Sequence, residues 1–161
     1  MPADNVTPFR RPPPKPVRPQ QQGWGLKTHR GKAVLVHVLT IACFAVPFVL
    51  PLGGIERFVG LGLGIAAGVI AYTGREGATP WAATHHEQAL RTIIIAFVAT
   101  TFLTLPALVI PRSASDILVW YSLIVFWANI VVALWAGIRA LVGLVLAGMR
   151  KPVFNAKGWL V

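Results

Sequence analysis

Residues 116–139 read DILVWYSLIVFWANIVVALWAGIR, an apolar stretch that starts at an acid and ends at an arginine. A helix needs about 20 predominantly apolar residues to cross the hydrocarbon core of a bilayer, and this stretch is long enough. Trp120 and Tyr121 stand near its start and Trp135 near its end, about 22 Å apart at the rise of an α-helix. Aromatic side chains mark the two membrane interfaces in this way. The stretch therefore predicts a transmembrane helix.

The composition also indicates a membrane protein. Of the 161 residues, 55% are hydrophobic and 12% are charged, whereas soluble domains usually carry about 25% charged residues. The net charge of +10 does not indicate nucleic-acid binding, because the basic residues flank apolar runs instead of forming one soluble face. The single cysteine, Cys43, excludes an internal disulfide and a multi-cysteine metal site. We therefore expect a lipid bilayer, and no nucleic acid, as the partner.

Three further apolar runs precede this stretch, at 33–52, 57–72 and 91–110. The first and the third have the length of a span, whereas the second is short and spans only if Gly54 and Ile55 extend it or its helix is untilted. The four runs predict an all-α integral membrane protein with about four transmembrane helices in an antiparallel bundle. Residues 32–149 form this predicted domain.

Lysine and arginine indicate the orientation of the chain. Seven of them lie between residues 10 and 32, whereas the connections after the first and third runs hold one arginine each, Arg57 and Arg112. The positive-inside bias places both termini in the cytoplasm of a bacterial cell, with the spans in its inner membrane. Residues 150–161 are then a cytoplasmic C-terminal tail.

Residues 1–31 are basic and rich in proline, which predicts a disordered cytoplasmic tail. The tail sets the orientation of the chain by its charge, or it serves as a docking peptide or as a tether to anionic lipids at the cytoplasmic face.

Glycines in the second run favour close helix packing. Gly60, Gly64 and Gly68 are spaced by four and share one helix face, where another backbone can approach. We expect them to pack against a helix of the same chain; a seam between two copies is the alternative.

The stretch ATHHEQALRTIII (83–95) holds the main candidate site. His85 and His86 point about 100° apart on a helix and cannot chelate one ion well. Thr84 and Glu87 match a capping box, which predicts a helix start there. A start at 79–80 is the alternative, because proline suits the first helical position. The candidate polar interface site comprises His85, His86, Glu87, Gln88, Arg91 and Arg139.

Glu87 and Arg139 lie at similar depths if the third and fourth runs are antiparallel neighbours joined by residues 111–116. We hypothesise an ion pair between them, with Arg91 or His86 as the rival partner of Glu87. The alternative is that both side chains extend separately into water.

Two segments, YTGREGATPWAATHHEQALRTIII (72–95) and GIRALVGLVLAGMRKPVFNAKGWLV (137–161), resemble a bacterial family of small multi-pass membrane proteins. That family is a domain of unknown function and is distantly similar to the Tic-type translocon subunit of the chloroplast inner envelope. The similar features are the polar H-x-E-Q-A-L start of a span and the closing pattern of arginine, glycine and basic residue with proline. The doubled His85–His86 departs from the single histidine that is more common there. The resemblance, over roughly residues 32–161, implies a helical fold of about four spans and no established chemistry.

The expected function is that of a non-enzymatic accessory, assembly or scaffold subunit of an inner-membrane complex. The sequence shows no nucleophile–base pair, phosphate-binding loop or acidic metal cluster, and we expect no cofactor. Partners would be other membrane proteins or further copies of the chain. The alternative is a small oligomeric transporter or channel. It rests on His37 and Asn129, which are polar residues within spans, and on Pro47, Pro51 and Pro106, which kink helices.

Overall fold

The structure, a computed structural model, describes residues 25–50, 54–111 and 115–158, with the side chains of Leu108 and Ser115 excepted. The long helices are α1 (His29–Val49), α2 (Ile55–Gly74), α3 (Pro80–Thr104) and α4 (Ser115–Gly148), and a short 3-10 helix (Leu105–Leu108) follows α3. All four long helices have the length and apolar composition of a membrane span. The predicted all-α protein with four spans is confirmed. Residues 1–24 of the predicted disordered tail lie outside the described residues.

The second apolar run forms a helix of full length, because residues on both sides of it extend the helix. α2 contains 20 residues, and its first turn includes Ile55 and Glu56. The Glu56 carboxylate accepts a hydrogen bond of 2.8 Å from the backbone N–H of Gly54, which precedes the helix with a φ of 102°. Glycine tolerates this left-handed conformation, so the chain can turn sharply into α2.

The four helices form a ring in which neighbours run antiparallel. α1 packs against α2 and α4, and α3 packs against the same two helices. α1 and α3 also meet across the diagonal, whereas α2 and α4 occupy opposite corners and make no contact within the described ranges. The start of α1, the end of α2, the start of α3 and the end of α4 thus share one end of the bundle, and the opposite ends of these helices share the other.

α3 begins at Pro80, which is the earlier of its two predicted starts. Thr79 precedes the helix in an extended conformation and Pro80 is its first residue, so the earlier start is confirmed. The capping box at Thr84 and Glu87 is wrong, because both residues lie inside the helix. The Thr84 hydroxyl instead donates to the carbonyl of Trp81 at 2.7 Å.

α4 ends in a Schellman motif that turns the chain back toward the bundle. The N–H of Lys151 donates to the carbonyl of Leu146 at 3.0 Å, and that of Arg150 donates to Ala147 at 3.1 Å. Arg150 has a φ of 57°, the left-handed conformation that this motif requires. Pro152 follows and prevents the helix from continuing. Residues 151–158, called the C-terminal segment below, consequently lie against the bundle.

Two of the three predicted packing glycines approach other helices. A Cβ atom at Gly60 would lie 2.8 Å from the backbone oxygen of Cys43, and one at Gly64 would lie 2.5 Å from the ring of Phe97. Gly68 has nothing within 4 Å of such an atom, so the expectation for this residue is wrong. The close approach joins α2 to α1 and α3 of the same chain.

Prolines mark two places where helix geometry changes. Pro47 lies inside α1, and Pro106 lies in the 3-10 helix that replaces the α-helical pattern after Thr104. Proline lacks a backbone donor and disfavours α-helical geometry in the residue before it. Pro51 lies outside the described residues.

Candidate functional site

Polar side chains from three helices form a buried cluster at the end of the bundle that holds the C-terminal segment. Each of them is at most 2% exposed. The sequence singled out four of them as an interface site and His37 as a separate intramembrane residue, and the structure brings these five together. The members, called the polar cluster below, are His37 and Thr40 from α1, His85, His86, Gln88 and Thr92 from α3, and Arg139 from α4.

Two histidines form a hydrogen-bonded chain from α1 to the C-terminal segment. His37 Nε2 lies 3.1 Å from His85 Nδ1, and His85 Nε2 lies 2.8 Å from the carbonyl oxygen of Lys151. A carbonyl only accepts hydrogen bonds, so His85 Nε2 donates. The Nδ1 atom of a neutral His85 ring then accepts from His37 Nε2–H. The network therefore assigns the proton of both rings to Nε2.

Glycine in α4 makes room for His37. A Cβ atom at Gly143 would lie 2.3 Å from His37 Cε1 and 2.7 Å from Gln88 Oε1. Real Cβ atoms do not approach other atoms so closely, and the His37 ring is buried and cannot swing away. A residue without a side chain at 143 therefore lets α4 close over the α1–α3 contact.

Arg139 joins α4 to α3 and to the C-terminal segment. Its Nε donates to the Thr92 hydroxyl at 3.1 Å, and its Nη1 donates to the carbonyl of Gly158 at 2.8 Å. The guanidinium carbon lies 5.4 Å from the centre of the Trp135 ring, which adds a cation–π contact. The backbone oxygen of Arg139 accepts from Gln88 Nε2 at 3.3 Å. One residue thus contributes both its side chain and its backbone to the cluster.

Glu87 forms ion pairs at the edge of the cluster, but not with Arg139. Its carboxylate lies 2.9 Å from Arg75 Nη1 and 2.5 Å from Arg91 Nε, and its side chain is 22% exposed. The hypothesised Glu87–Arg139 pair is wrong, and the rival partner Arg91 is confirmed. Arg75, at the end of α2, was not foreseen in this role.

His86 points away from His85, as the helical geometry predicts. Its ring packs on α2, where a Cβ atom at Gly74 would lie 2.8 Å from His86 Cε1. Both ring nitrogens are buried and have no hydrogen-bond partner in the described part of the chain. Among those same residues, no group of three or more His, Cys, Asp or Glu is arranged to hold a metal ion.

The C-terminal segment closes the cluster with backbone groups. Besides Lys151 and Gly158, the N–H of Val153 donates to the Thr84 hydroxyl at 3.0 Å. Arg30 of α1 donates to the carbonyl of Gly148, just before the segment. The contacts of the segment hold it against α3 and α4, and the bond from Arg30 ties α1 to the end of α4.

Asn129 lies apart from the polar cluster, in the other half of the bundle. Its Nδ2 donates to the Val125 carbonyl of its own helix at 2.8 Å, and the residue lines a cleft of about 680 Å³. Small-molecule sites have volumes of about 300–1,000 Å³. The cleft lies between the later halves of α1 and α3 and the earlier halves of α2 and α4. Its lining includes Phe44, Pro47, Phe97, Thr101, Val125 and Ala133.

Sequence reasoning missed Gly74, Gly143, Thr92 and the C-terminal segment as parts of the site. The glycines offered a signal, because a glycine in an apolar helix often marks a close approach. The carbonyl groups of the segment offered none, because every residue carries one.

Comparison of the chain with protein-family models, with curated proteins and with solved structures finds no match. The resemblance to the bacterial family and to the Tic-type subunit stays a prediction that rests on segments 72–95 and 137–161. Both segments supply residues of the polar cluster, His85 in the first and Arg139 in the second.

Proposed function

We propose that this multi-pass membrane protein is a non-enzymatic accessory or scaffold subunit of a complex in a bacterial inner membrane. Both chain ends would lie in the cytoplasm. The charge distribution supports this orientation, because arginine and lysine concentrate at the end of the bundle that carries the polar cluster. Examples among the described residues are Lys32, Arg75, Arg91, Arg150 and Lys157.

The observation that carries the proposal is the closed state of the polar cluster. His85 and Arg139 are the cluster's side chains best suited to acid–base chemistry or to anion binding. Both donate to backbone carbonyls of the C-terminal segment. Buried hydrogen-bonded networks of this kind hold one arrangement of helices. A rigid end lowers the entropic cost of binding another protein, because the surface is already in its bound shape.

The C-terminal segment also presents an apolar side chain suited to a partner. Phe154 is 95% exposed, and Lys151 and Lys157 on the same segment are exposed as well. Aromatic side chains are enriched among the residues that dominate the affinity of interfaces. A partner with an apolar pocket and an acidic rim would fit this surface.

A photo-crosslinking experiment in intact cells tests the role. A benzophenone amino acid at Phe154 should give one discrete adduct with another membrane protein. The matched control is the same substitution at Phe102, which is also highly exposed but lies within the span of α3, and it should give none. Adducts with lipid alone at both positions would contradict a subunit role.

The orientation has a separate test. With Cys43 removed, a cysteine at Ser113 should react with a membrane-impermeant thiol reagent added outside the cell, and a cysteine at Gly77 should not. Labelling of Gly77→Cys from outside would reverse the proposed orientation.

The second candidate is a small transporter or channel, and the cleft is the observation that favours it. Asn129 and the hydroxyl groups of Thr100 and Thr101 line this cleft. Planar bilayers in potassium chloride test the candidate with the purified chain. A channel should give a conductance above that of protein-free bilayers, and this conductance should fall in the cleft-filling variant Ala133→Trp. Such a result would favour the channel over the scaffold role.

A further inference from the structure

Arg57, at the rim of the cleft, forms no salt bridge with any acidic residue that the structure describes. It is the third residue of α2 and is exposed, and it belongs to the lining of the cleft. Both salt bridges among the described residues are made by Glu87 with other arginines. The neighbouring carboxylate of Glu56 accepts from the N–H of Gly54. The guanidinium of Arg57 is thus available to an anion.

The position of Arg57 along the bundle corresponds to the membrane interface. It lies about 3 Å along the axis from the first residue of α2. Trp120, which is 67% exposed, lies about 7.5 Å from the first residue of α4 at the same end of the bundle. Exposed tryptophans near helix ends sit at the level of the lipid headgroups. Arg57 therefore lies at the depth of lipid phosphates.

The cleft has the length of one lipid leaflet. Its lining on α4 extends from Tyr121 to Ala133, which is about 18 Å along the helix. Half of a hydrocarbon core of about 30 Å is about 15 Å. Phe44, Phe97 and Val125 give the cleft an apolar wall, which suits a hydrocarbon chain.

We propose that the cleft binds one anionic phospholipid from the leaflet at this end of the bundle. Its phosphate would bind the Arg57 guanidinium, which presents a planar pair of donors suited to phosphate oxygens. One acyl chain would lie in the cleft between α1, α3 and α4. This site is independent of the subunit role proposed above, because the partner surface lies at the opposite end.

Photoactivatable lipids test the site on the full chain. The purified protein is reconstituted into phosphatidylcholine vesicles with a trace of phosphatidylglycerol or phosphatidylcholine that carries a diazirine in one acyl chain. The expected adducts lie on the peptides that contain Phe97 and Val125. Phosphatidylglycerol should label these peptides about fivefold more than phosphatidylcholine, equivalent to about 1 kcal/mol for one basic residue near an anionic lipid.

Variants separate the charge from the cleft. Arg57→Gln should abolish the preference for phosphatidylglycerol, and its exposed position leaves folding intact. Ala133→Trp should lower the labelling of both lipids in the cleft. The matched variant Val131→Trp, at a position that is 64% exposed, should not. If Ala133→Trp fails to fold, the loss of the preference for phosphatidylglycerol in Arg57→Gln still tests the proposed site.

Three results would overturn the proposal. They are equal labelling by the two lipids in the unmodified protein, adducts spread over the outward face of α4 instead of the cleft, and occupation of the cleft by a peptide of a second copy or another protein.

Discussion

His37 Nε2 lies 3.1 Å from His85 Nδ1, across the diagonal of the helix ring. This bond joins α1 to α3, which are not neighbours in the chain and run parallel to each other. Because the other nitrogen of His85 donates to Lys151, the same bond connects the diagonal contact to the C-terminal segment. Both rings are almost fully buried, so neither can replace a lost partner with bulk water.

Replacing His37 should destabilise the bundle. In His37→Leu, the buried Nδ1 of His85 loses its donor, which typically costs about 1–3 kcal/mol. Asn129→Leu is the matched control. The Asn129 side chain donates to the carbonyl of Val125 in its own helix and joins no other helix within the described residues, so its loss should cost less. Unfolding in detergent measures both. Equal losses would show that the histidine pair adds nothing specific.

Gly143→Ala should be harmful, whereas Gly137→Ala in the same helix should be neutral or stabilising. A Cβ atom at 143 would collide with the His37 ring, and one at 137 has nothing within 4 Å. Alanine is favoured over glycine inside a helix by about 1 kcal/mol. The control Gly137→Ala should therefore raise stability, whereas Gly143→Ala should lower it. Melting temperatures in detergent give the comparison. A stabilised Gly143→Ala variant would mean that α4 does not approach His37 as described.

The number and type of the helices could be predicted from the sequence, because runs such as 116–139 must satisfy the thickness of a bilayer. The depth of a residue in the membrane could be predicted for the same reason. The direction in which its side chain points around the helix axis could not. Glu87 and Arg139 were placed at similar depths. Arg139, however, bonds Thr92, which points about 140° away from Glu87 around α3. The arginine therefore faces the interior and the glutamate faces α2.

The start of α3 shows a second limit of the sequence. Thr79 and Thr84 are both suitable residues before a helix. Glu87 completes a capping box at Thr84, and this pattern favours the later start. Pro80 has a fixed φ and needs no donor at the first position, and this preference coincides with the observed start. The Thr84 hydroxyl then bonds Val153, a contact across 69 positions that local patterns do not encode.

Substitution of Gly60 by alanine should be at least as damaging as the same change at Gly64. At Gly60 the new methyl group would meet the backbone oxygen of Cys43, which cannot move without α1. At Gly64 it would first meet the end of the Phe97 ring. Gly68→Ala, with open space around it, is the control and should lose nothing. Thermal unfolding would contradict the packing if all three variants behaved alike.

Double-mutant cycles should find coupling between Glu87 and Arg75 but none between Glu87 and Arg139. The first pair is in contact at 2.9 Å. Partly exposed ion pairs are typically worth about 0.2–1 kcal/mol. Glu87→Gln combined with Arg75→Gln should therefore lose less stability than the two single changes added together. If instead the effects of Glu87→Gln and Arg139→Gln on stability were non-additive, these two residues would interact, contrary to the structure.

Arg150→Gly should preserve or increase stability, whereas Arg150→Val should decrease it. The left-handed conformation of Arg150 costs a residue with a side chain roughly 1–2 kcal/mol, and glycine avoids this cost. Valine branches at Cβ and tolerates the conformation least. Unfolding in detergent measures both variants. A valine variant as stable as the glycine variant would show that the turn at Arg150 is not needed.

The Schellman turn at Arg150 also bears on how the protein assembles. Whenever the C-terminal segment is not yet docked, His85 and Arg139 lack the carbonyls of Lys151 and Gly158 as acceptors. They must then donate to water or to lipid headgroups, which are present only near the membrane surface. A bundle with an undocked segment is therefore held with this end at the interface, and docking of the segment completes its assembly.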